Sequence, residues 1–335
     1  MGARATEYVP CPRCGQPVDV WDGFCEACGK ELAPPVVSDG QPGYVPQCPV
    51  CAADPDASPA GITPDGYCES CGRKVPTSRD HVDLDLGVLA GVTDRGQRHT
   101  RNEDAMALAA SGTPDGQVAV AVVCDGVSTS PRPDEASLAA AQEAVRVLLT
   151  AARFAEDLAE ASVAAVRSAA QKLVGVAGPD GAPACTYASA VVGPDGVTVC
   201  SLGDSRVYWL AEADSACLTR DDSLAAELVA SGVLAEADAM TSPQAHVITQ
   251  WLGADFPDPQ PHVAQFQPPG PGVVLVCSDG LWNYVPEAAD LAMLAMPAAL
   301  TSPLDAAAAL VKVANDAGGR DNITAILVPF PLQTP

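Results

Sequence analysis

Residues 93–104 read TDRGQRHTRNED, a polar stretch that ends in two adjacent carboxylates, Glu103 and Asp104. Apolar runs of strand length flank it, at 86–92 and 104–110. The pattern predicts two strands that carry these carboxylates at the edge of a sheet. An unpaired carboxylate at the edge of a buried strand is costly in free energy, so this stretch needs a partner that compensates its charge.

An acidic residue stands beside an apolar strand at four further places along the chain. These segments are 123–126 (VCDG), 202–206 (LGDSR), 277–280 (CSDG) and 320–322 (RDN). A single Asp-Gly after a strand is usually only a turn. Several carboxylates that converge from different strands are stable when they share divalent cations, and oxygen ligands alone select ions such as Mg²⁺ or Mn²⁺. We therefore predict a site for hard divalent cations.

From residue 86 onward, apolar runs of strand length alternate with alanine-rich helical segments. Strands are predicted at 86–92, 104–110, 118–124, 185–192, 196–202, 205–211, 273–277 and 322–329. Helices are predicted at 134–152, 155–174, 222–231, 287–295 and 303–316. Turn sequences such as Pro194-Asp195-Gly196 join neighbouring strands. Strands in hairpins and helices in blocks favour an α+β layered domain over a doubly wound parallel sheet.

The thirteen cysteines are unevenly distributed. Eight of them form four CxxC pairs before residue 72: Cys11, Cys14, Cys25, Cys28, Cys48, Cys51, Cys68 and Cys71. Two such pairs can supply the four sulfurs of a tetrahedral shell, which is typical of structural zinc. Disulfides are the alternative, and we disfavour them because the N-terminus has no hydrophobic stretch of signal-peptide type. The other five cysteines lie singly in apolar segments, which predicts buried thiols.

We predict zinc-ribbon modules at 1–35 and 36–76, a linker at 77–85 and a larger domain at 86–332. The net charge of -24, from 42 acidic and 18 basic side chains, argues against nucleic-acid binding. Residues 1–76 share this bias, with ten acidic and five basic side chains, so the ribbons are expected to contact protein or to be structural. No apolar run is long enough to span a bilayer, and we expect a cytoplasmic protein without a membrane partner.

From about residue 86 to 330, the chain resembles the metal-dependent PPM-type (protein phosphatase 2C) serine/threonine phosphatases. The resemblance rests on seven ordered motifs: Thr93-Asp94-Arg95-Gly96 leading into Asn102-Glu103-Asp104; Asp125-Gly126; Gly203-Asp204-Ser205-Arg206; Asp222-Ser223 with Glu227-Leu228 and Gly232; Ile248-Thr249 with Leu252-Gly253; Ser278-Asp279-Gly280-Leu281-Trp282; and Asp321-Asn322-Ile323-Thr324. It implies a sandwich of two β-sheets flanked by helices (α-β-β-α layers), with a metal centre at one end. The cysteine modules resemble zinc ribbons of the double-ribbon type.

The resemblance also implies how the metals are held. Asp125 would bridge two Mn²⁺ or Mg²⁺ ions. Asp279 and Asp321 would hold one of them, while Glu103 and the carbonyl of Gly126 would hold the other. The implied reaction is hydrolysis of phosphoserine and phosphothreonine by water that the two metals activate, without a covalent intermediate. Its substrates would be phosphorylated proteins, the products of cellular Ser/Thr kinases.

Two further carboxylates receive roles from the resemblance, and one position departs from it. Asp104 would support the centre indirectly or through water, and Asp204 would hold a third, weaker ion. The family usually carries an arginine that contacts the substrate phosphate where this chain has His99. Either His99 binds phosphate or donates a proton to the leaving alkoxide, or the neighbouring Arg98 or Arg101 reaches the phosphate instead.

The sequence departs from the family pattern at a second position, and it also allows an alternative function. Many relatives continue the Asp-Gly motif with a glycine pair, whereas this chain has 127–130 (VSTS), which implies a differently shaped loop. The alternative function is a regulatory pseudo-phosphatase, a scaffold that binds protein partners through the zinc ribbons. The other three histidines are given no function: His81 is assigned to the solvated linker, His262 to a surface loop, and His246, which lies outside the residues that the structure describes, to a structural role.

Overall fold

The computed structural model describes residues 8–332, apart from 12, 31, 41–43, 52–60, 64–65, 114–115, 180, 236–237, 239–246 and 257. Its strands are β1 (Tyr8–Pro10), β2 (Pro17–Asp19), β3 (Val36–Val37), β4 (His81–Asp85), β5 (Ala90–Asp94), β6 (Asp104–Thr113), β7 (Gly116–Asp125), β8 (Ala184–Cys185), β9 (Tyr187–Gly193), β10 (Gly196–Leu202), β11 (Arg206–Leu210), β12 (Ala216–Cys217), β13 (Leu252–Gly253), β14 (His262–Phe266), β15 (Gly272–Cys277) and β16 (Ile323–Phe330). Its helices are α1 (Pro133–Arg153), α2 (Leu158–Val176), α3 (Leu224–Ala230), α4 (Asp279–Trp282), α5 (Ala288–Ala299) and α6 (Pro303–Asp316).

Two six-stranded sheets form the centre of the larger domain. The first sheet has the order β14-β10-β9-β7-β6-β3, and the second sheet has the order β12-β11-β15-β16-β5-β4. Buried side chains such as Met106, Trp209 and Ile326 fill the space between the sheets. Helices α1 and α2 pack on the outer face of the first sheet, and α5 and α6 on that of the second. The predicted α-β-β-α layers are therefore confirmed.

Strand β7 shows why the sheets form where they do. Residues 118–124 are a continuous apolar run, and each of them is buried. A strand with one sheet on one face and a helix on the other must be apolar on both faces. Small alanines on α1, among them Ala136, Ala140 and Ala144, are fully buried against this sheet and allow the helix to approach it closely.

The structure corrects two predictions on the N-terminal side of the domain. Residues 81–85, predicted within the linker, form edge strand β4, which pairs antiparallel with β5. Val36 and Val37, predicted within the second ribbon, pair with Leu108 and Ala107 at the edge of the first sheet. Both strands are short and lie at sheet edges, so neither has the continuous apolar run of an inner strand. The other boundaries of the four predicted regions remain predictions.

Two histidines have acidic partners that the sequence did not indicate. His81 is exposed, as predicted, and its Nδ1 lies 2.7 Å from Asp94 Oδ2. His262 begins strand β14, which pairs with β10, and its Nε2 lies 2.7 Å from Asp222 Oδ1. Each interaction joins residues far apart in the sequence, so no local pattern indicates it. Separately, none of the helices in the described part of the chain is long and apolar enough to cross a membrane.

Candidate active site

The ends of four strands meet at one end of the sandwich and bring the predicted aspartates together. Strands β6 and β7 pair so that Asp104 stands opposite Asp125. In the second sheet, β15 ends immediately before the segment that carries Asp279, and β16 begins immediately after Asp321 and Asn322. The electrostatic interactions among these four carboxyl groups place them in one cluster. We refer to Asp104, Asp125, Asp279 and Asp321 as the aspartate centre.

Asp104 is the most firmly anchored member of the aspartate centre. Its Oδ2 accepts hydrogen bonds from Ser278 Oγ and Thr324 Oγ1, each at 2.7 Å. Its Oδ1 is buried and has no hydrogen-bond partner among the described residues. Burial raises the pKa of Asp104 to about 6, although the two hydroxyl donors act in the opposite direction. The side chain is thus fixed on one oxygen and unsatisfied on the other.

Asp125 and Asp279 lie beside each other, and each residue is half-buried. Burial raises the pKa of both well above the ordinary value, and the neighbouring carboxylates raise it further. Asp279 Oδ2 accepts a hydrogen bond from Asn283 Nδ2 at 3.1 Å. Its Oδ1 is buried and, within the described residues, lacks a hydrogen-bond partner. A second buried acceptor oxygen is therefore unsatisfied.

The aspartate centre fits divalent cations. Unsatisfied buried acceptor oxygens on Asp104 and Asp279, beside the carboxyl group of Asp125, are costly unless positive charge compensates them. The donor set is oxygen only, which suits Mg²⁺ or Mn²⁺. Among the described residues, only the cysteine clusters bring three or more candidate donor atoms within 4.8 Å of one another. No three of the aspartates approach one another that closely, so ions held here would keep water ligands, as Mg²⁺ usually does.

Glu103 stands beside the aspartate centre but is held by different partners. Its Oε1 accepts a hydrogen bond from Arg101 Nε at 2.8 Å, and its Oε2 accepts one from Ser128 Oγ at 2.5 Å. Ser128 belongs to the loop that departs from the usual glycine pair, so this departure supplies a hydroxyl that holds a predicted ligand. The sequence does not indicate this role of Ser128, because Ser128 and Glu103 are 25 residues apart.

Gly126 fills a position that no larger residue could occupy without moving the backbone. A Cβ at Gly126 would lie 2.6 Å from the carbonyl oxygen of Pro133 and 2.7 Å from that of Glu103. The Gly126 N–H donates to the carbonyl oxygen of Glu103 at 3.2 Å. Close packing of these three backbone segments holds the predicted carbonyl ligand beside Glu103 and at the N-terminus of α1.

Asp204 lies in the turn between β10 and β11. Trp282 Nε1 donates to its carbonyl oxygen at 2.8 Å. Burial, followed by the charge of Asp221, raises the pKa of the Asp204 carboxyl group to about 7. The guanidinium group of Arg206 makes two hydrogen bonds to Asp221 and stacks 3.7 Å from the ring centroid of Trp282. This arrangement fixes the turn that carries the predicted ligand of a third ion.

Asp222 holds the same turn from the other side, and sequence reasoning assigned it no role. The Gly203 N–H donates to its Oδ2 at 3.0 Å, and Gln250 Nε2 donates to its Oδ1 at 2.7 Å. His262 lies at 2.7 Å from the same Oδ1. Asp222 was visible as part of a family motif, but its partners lie 19 to 40 residues away, so only the fold shows what it holds.

The position that departs from the family lies at the rim of the aspartate centre. His99 Nε2 is 3.1 Å from Asp321 Oδ1. Arg101, which is 46% exposed, pairs with Glu103 and with Asp134. Arg98 is exposed. His99 and Arg101 therefore both contact acidic side chains at the site, and both alternatives for the phosphate contact remain open.

The eight N-terminal cysteines form two clusters. The first cysteine cluster is Cys11, Cys14, Cys25 and Cys28, and the second is Cys48, Cys51, Cys68 and Cys71. The closest sulfur pairs are 3.4 to 3.7 Å apart, and all eight thiols are free. Tetrahedral zinc with Zn–S bonds of about 2.3 Å needs sulfurs about 3.8 Å apart. The spacing therefore fits zinc.

The backbone of the second cysteine cluster favours a thiolate. The pKa of Cys48 is lowered to about 6, chiefly because the backbone N–H of Cys51 donates to its sulfur. Gly72 follows the second CxxC pair with a φ of 69°, and its N–H donates to the carbonyl oxygen of Cys68. Glycine adopts this left-handed backbone at little cost. The turn is therefore preorganised for a ligand that binds thiolates.

Comparison with known proteins agrees with this geometry. The model of the family described as "Protein phosphatase 2C" matches residues 93–313. The chain belongs to the protein phosphatase 2C family. The match includes every member of the aspartate centre except Asp321, together with Glu103 and Asp204, and it excludes both cysteine clusters.

Three named proteins are similar to this protein phosphatase 2C chain. It is 34% identical over 144 residues to "Serine/threonine phosphatase stp" of Listeria innocua, which covers 43% of this chain and 55% of that protein. Its fold is similar to the PPM Ser-Thr phosphatase MsPP of Mycobacterium smegmatis in complex with cacodylate, with a TM-score of 0.56, 29% identity, and coverage of 72% of this chain and 97% of that one.

A third relative shares the fold at lower sequence identity. It is the catalytic domain of the serine threonine protein phosphatase PstP in complex with two manganese ions, with a TM-score of 0.56 and 21% identity. That match covers 71% of this chain and 96% of the other. The chain spans about half the length of the curated relatives it matches.

Proposed function

We propose that this chain hydrolyses phosphoserine and phosphothreonine in proteins, with Mn²⁺ or Mg²⁺ bound at the aspartate centre. The observation that carries the proposal is the cluster of carboxyl groups at Asp104, Asp125 and Asp279, in which Asp104 and Asp279 each leave a buried acceptor oxygen unsatisfied. The names of the relatives support the same activity, and the manganese in the PstP structure supports the choice of metal.

Each residue of the site has a proposed part. Asp125 would bridge two ions, with Asp279 and Asp321 on one and Glu103 with the Gly126 carbonyl on the other. Bound divalent cations lower the pKa of water and neutralise phosphoryl oxygens. Residues of the chain itself hold these ligands in place and contact the substrate phosphate.

Supporting residues keep the proposed ligands in place. Ser278 and Thr324 fix Asp104 on the inner side of the centre. Asp204 would hold a third ion in the turn that Trp282 anchors. His99 or Arg101 would contact the substrate phosphate, since both lie at the rim beside acidic residues of the site.

The two cysteine clusters are proposed to be zinc ribbons. Four sulfurs form a closed shell, so these ions would be structural and would take no part in hydrolysis. Zinc–thiolate sites need reduced cysteines, which is consistent with the proposed cytoplasmic location. The proposed partners are the phosphoproteins made by Ser/Thr kinases and, through the ribbons, a further protein.

The experiment is a phosphatase assay on the purified chain with a phosphothreonine peptide. Added Mn²⁺ should support hydrolysis, EDTA should abolish it, and Asp125→Asn should lower kcat by about a hundredfold or more, because a bridging ligand is lost. Asp214→Asn is the matched control: Asp214 is exposed, and asparagine tolerates its positive φ of 60°. A wild-type chain that binds Mn²⁺ but hydrolyses none of several phosphopeptides would favour the pseudo-phosphatase scaffold.

A further inference from the structure

The second cysteine cluster is tied to the larger domain at both of its ends. On its N-terminal side, β3 pairs with β6, and the Ser38 N–H donates to the carbonyl oxygen of Met106 at 3.0 Å. On its C-terminal side, β4 pairs with β5 in the other sheet. The second module, which we define as residues 41–77, therefore connects the edges of the two sheets.

The two connections touch each other at the base of the second module. A Cβ at Gly40 would lie 2.2 Å from Ser78 Oγ, so the chain leaves the first sheet and returns to the second at one point. Gly40 has a φ of 90°, a conformation that favours glycine. Immediately after Ser78 comes Arg79, and its side chain turns toward the aspartate centre.

Arg79 makes contact with two segments that carry acidic residues. Its Nη1 donates to the carbonyl oxygen of Asp134 at 3.1 Å, and its Nη2 donates to the carbonyl oxygen of Asp104 at 3.3 Å. Its own carbonyl oxygen accepts a hydrogen bond from Asn102 Nδ2 at 3.1 Å. Both the backbone and the side chain of Arg79 therefore hold the segment that presents Asp104.

Asp134 links Arg79 to the other acidic residue of this segment. The Asp134 carboxylate lies 3.9 Å from Arg79 Nη1 and 3.5 Å from Arg101 Nη1. Arg101 in turn pairs with Glu103 at 2.8 Å. The like charges of the two arginines are compensated by the carboxylate between them. The contacts thus run continuously from the base of the second module to Glu103.

We propose that Arg79 is a positioning residue, which couples the second module to divalent-cation binding at the aspartate centre. The inference rests on the proposed metal-dependent function. Arg79 lies outside the 93–313 region that the family model matches, so the contact belongs to the N-terminal part of this chain. Loss of Arg79 would remove the hydrogen bond to the Asp104 carbonyl oxygen and the contact with Asp134, which pairs with Arg101. The proposed metal ligands held by these segments would then be less ordered.

The first experiment measures Mn²⁺ affinity by isothermal titration calorimetry. Arg79→Ala is expected to weaken binding about tenfold, because residues that orient metal ligands contribute about that much to affinity. Arg79→Lys should fall in between, since an ammonium group cannot donate to both carbonyls with the geometry of a guanidinium group. Arg167→Ala is the control for charge, because Arg167 is exposed on α2.

The second experiment perturbs the modules instead of Arg79. Cys71→Ser in the second cysteine cluster should also weaken Mn²⁺ binding, whereas Cys14→Ser in the first should not. The two positions are matched, because each is the exposed ligand of its cluster. The thermal unfolding midpoint with and without Mn²⁺ separates coupling from general instability: coupling predicts a smaller Mn²⁺-induced rise in Arg79→Ala, even where the metal-free midpoint is unchanged.

Each outcome decides between the hypotheses. If Arg79→Ala binds Mn²⁺ as Arg167→Ala does and shows the same Mn²⁺-induced rise, the positioning role is wrong while the phosphatase proposal stands. If Cys71→Ser and Cys14→Ser bind Mn²⁺ equally well, the coupling to the second module is wrong. If the wild-type chain neither binds Mn²⁺ nor hydrolyses phosphopeptides, the proposed function itself fails.

Discussion

The imidazole of His99 lies with its Nε2 3.1 Å from Oδ1 of Asp321. The same Asp321 oxygen accepts the backbone N–H of Asn322 at 2.8 Å. A residue that replaces the usual arginine of the family is thus in contact with an acidic side chain that is proposed to hold a metal. Asp321 is only partly exposed, so its contact with His99 can restrict the orientation of its carboxyl group.

Substitution of His99 is expected to alter metal binding more than folding. His99→Ala should weaken the apparent Mn²⁺ affinity by about tenfold, because an aligned ligand loses the partner that orients it. His99→Gln, which keeps a donor, should recover part of the loss. Activity measured against Mn²⁺ concentration at fixed phosphopeptide provides the test. An unchanged Mn²⁺ midpoint with a raised KM would show that His99 contacts phosphate instead.

Gly280 is expected to tolerate no side chain. A Cβ there would lie 1.9 Å from the carbonyl oxygen of Asn322, between the segments that carry Asp279 and Asp321. Gly280→Ala should lower the free energy of unfolding by about 1–3 kcal/mol through overpacking, and it should also lower activity. Gly175→Ala in α2 is the control, because no atom beyond its chain neighbours and the backbone of its own helix lies within 4 Å of the position that its added Cβ would take; it should be neutral or stabilising. Urea unfolding of both variants measures the difference.

The His81–Asp94 pair should give the unfolding free energy a dependence on pH. The Asp94 carboxylate raises the pKa of His81 above its ordinary 6.5. Burial alone would raise the pKa of Asp94, but hydrogen bonds from His81 and Asn315 lower it below its ordinary 3.8. The pair therefore stabilises the fold fully between these two ordinary values. Its contribution is lost as the pH rises through the raised pKa of His81, or falls through the lowered pKa of Asp94.

The measurement compares wild type with His81→Gln, which removes the charge. Because His81 is more than half exposed, the difference in unfolding free energy should stay below about 1 kcal/mol. It should be largest near a pH of about 5.5 and should shrink by a pH of about 8.5, above the ordinary pKa of histidine. Urea unfolding at these two pH values tests it. A difference that grows toward alkaline pH would contradict the assigned interaction.

The cysteine clusters predict a defined metal content. Elemental analysis of the purified chain should find about two zinc atoms per molecule, and Cys71→Ser should reduce the content to about one. Cys217→Ser provides the control, because Cys217 is an exposed thiol outside both clusters. Zinc content near zero, or a content that does not depend on Cys71, would contradict the ribbon assignment.

Much of the larger domain could be predicted from the sequence because its inner strands are unusually apolar. The predicted strand at 118–124 lies within β7, and the predicted helix at 303–316 has the bounds of α6. The grouping of Asp104, Asp125 and Asp279 could also be predicted, since the motifs place each at a strand end. In both cases the signal is local: a run of apolar residues, or a carboxylate at a fixed position beside one.

The interactions that support the site could not be predicted in the same way. Arg79 reaches Asp104 across 25 residues, and Ser128 reaches Glu103 across the same distance. Strand β4 escaped prediction because acidic side chains alternate with Val82 and Leu84, which makes the segment look like a polar linker. Such contacts depend on which edges the fold brings together, and no single segment encodes them.

The contact between Gly40 and Ser78 bears on which changes of length the fold can tolerate. Because the two connections meet at one point, a segment of different length can be placed between them without parting β3 from β6 or β4 from β5. Exchange of the module between related chains should then preserve both sheets.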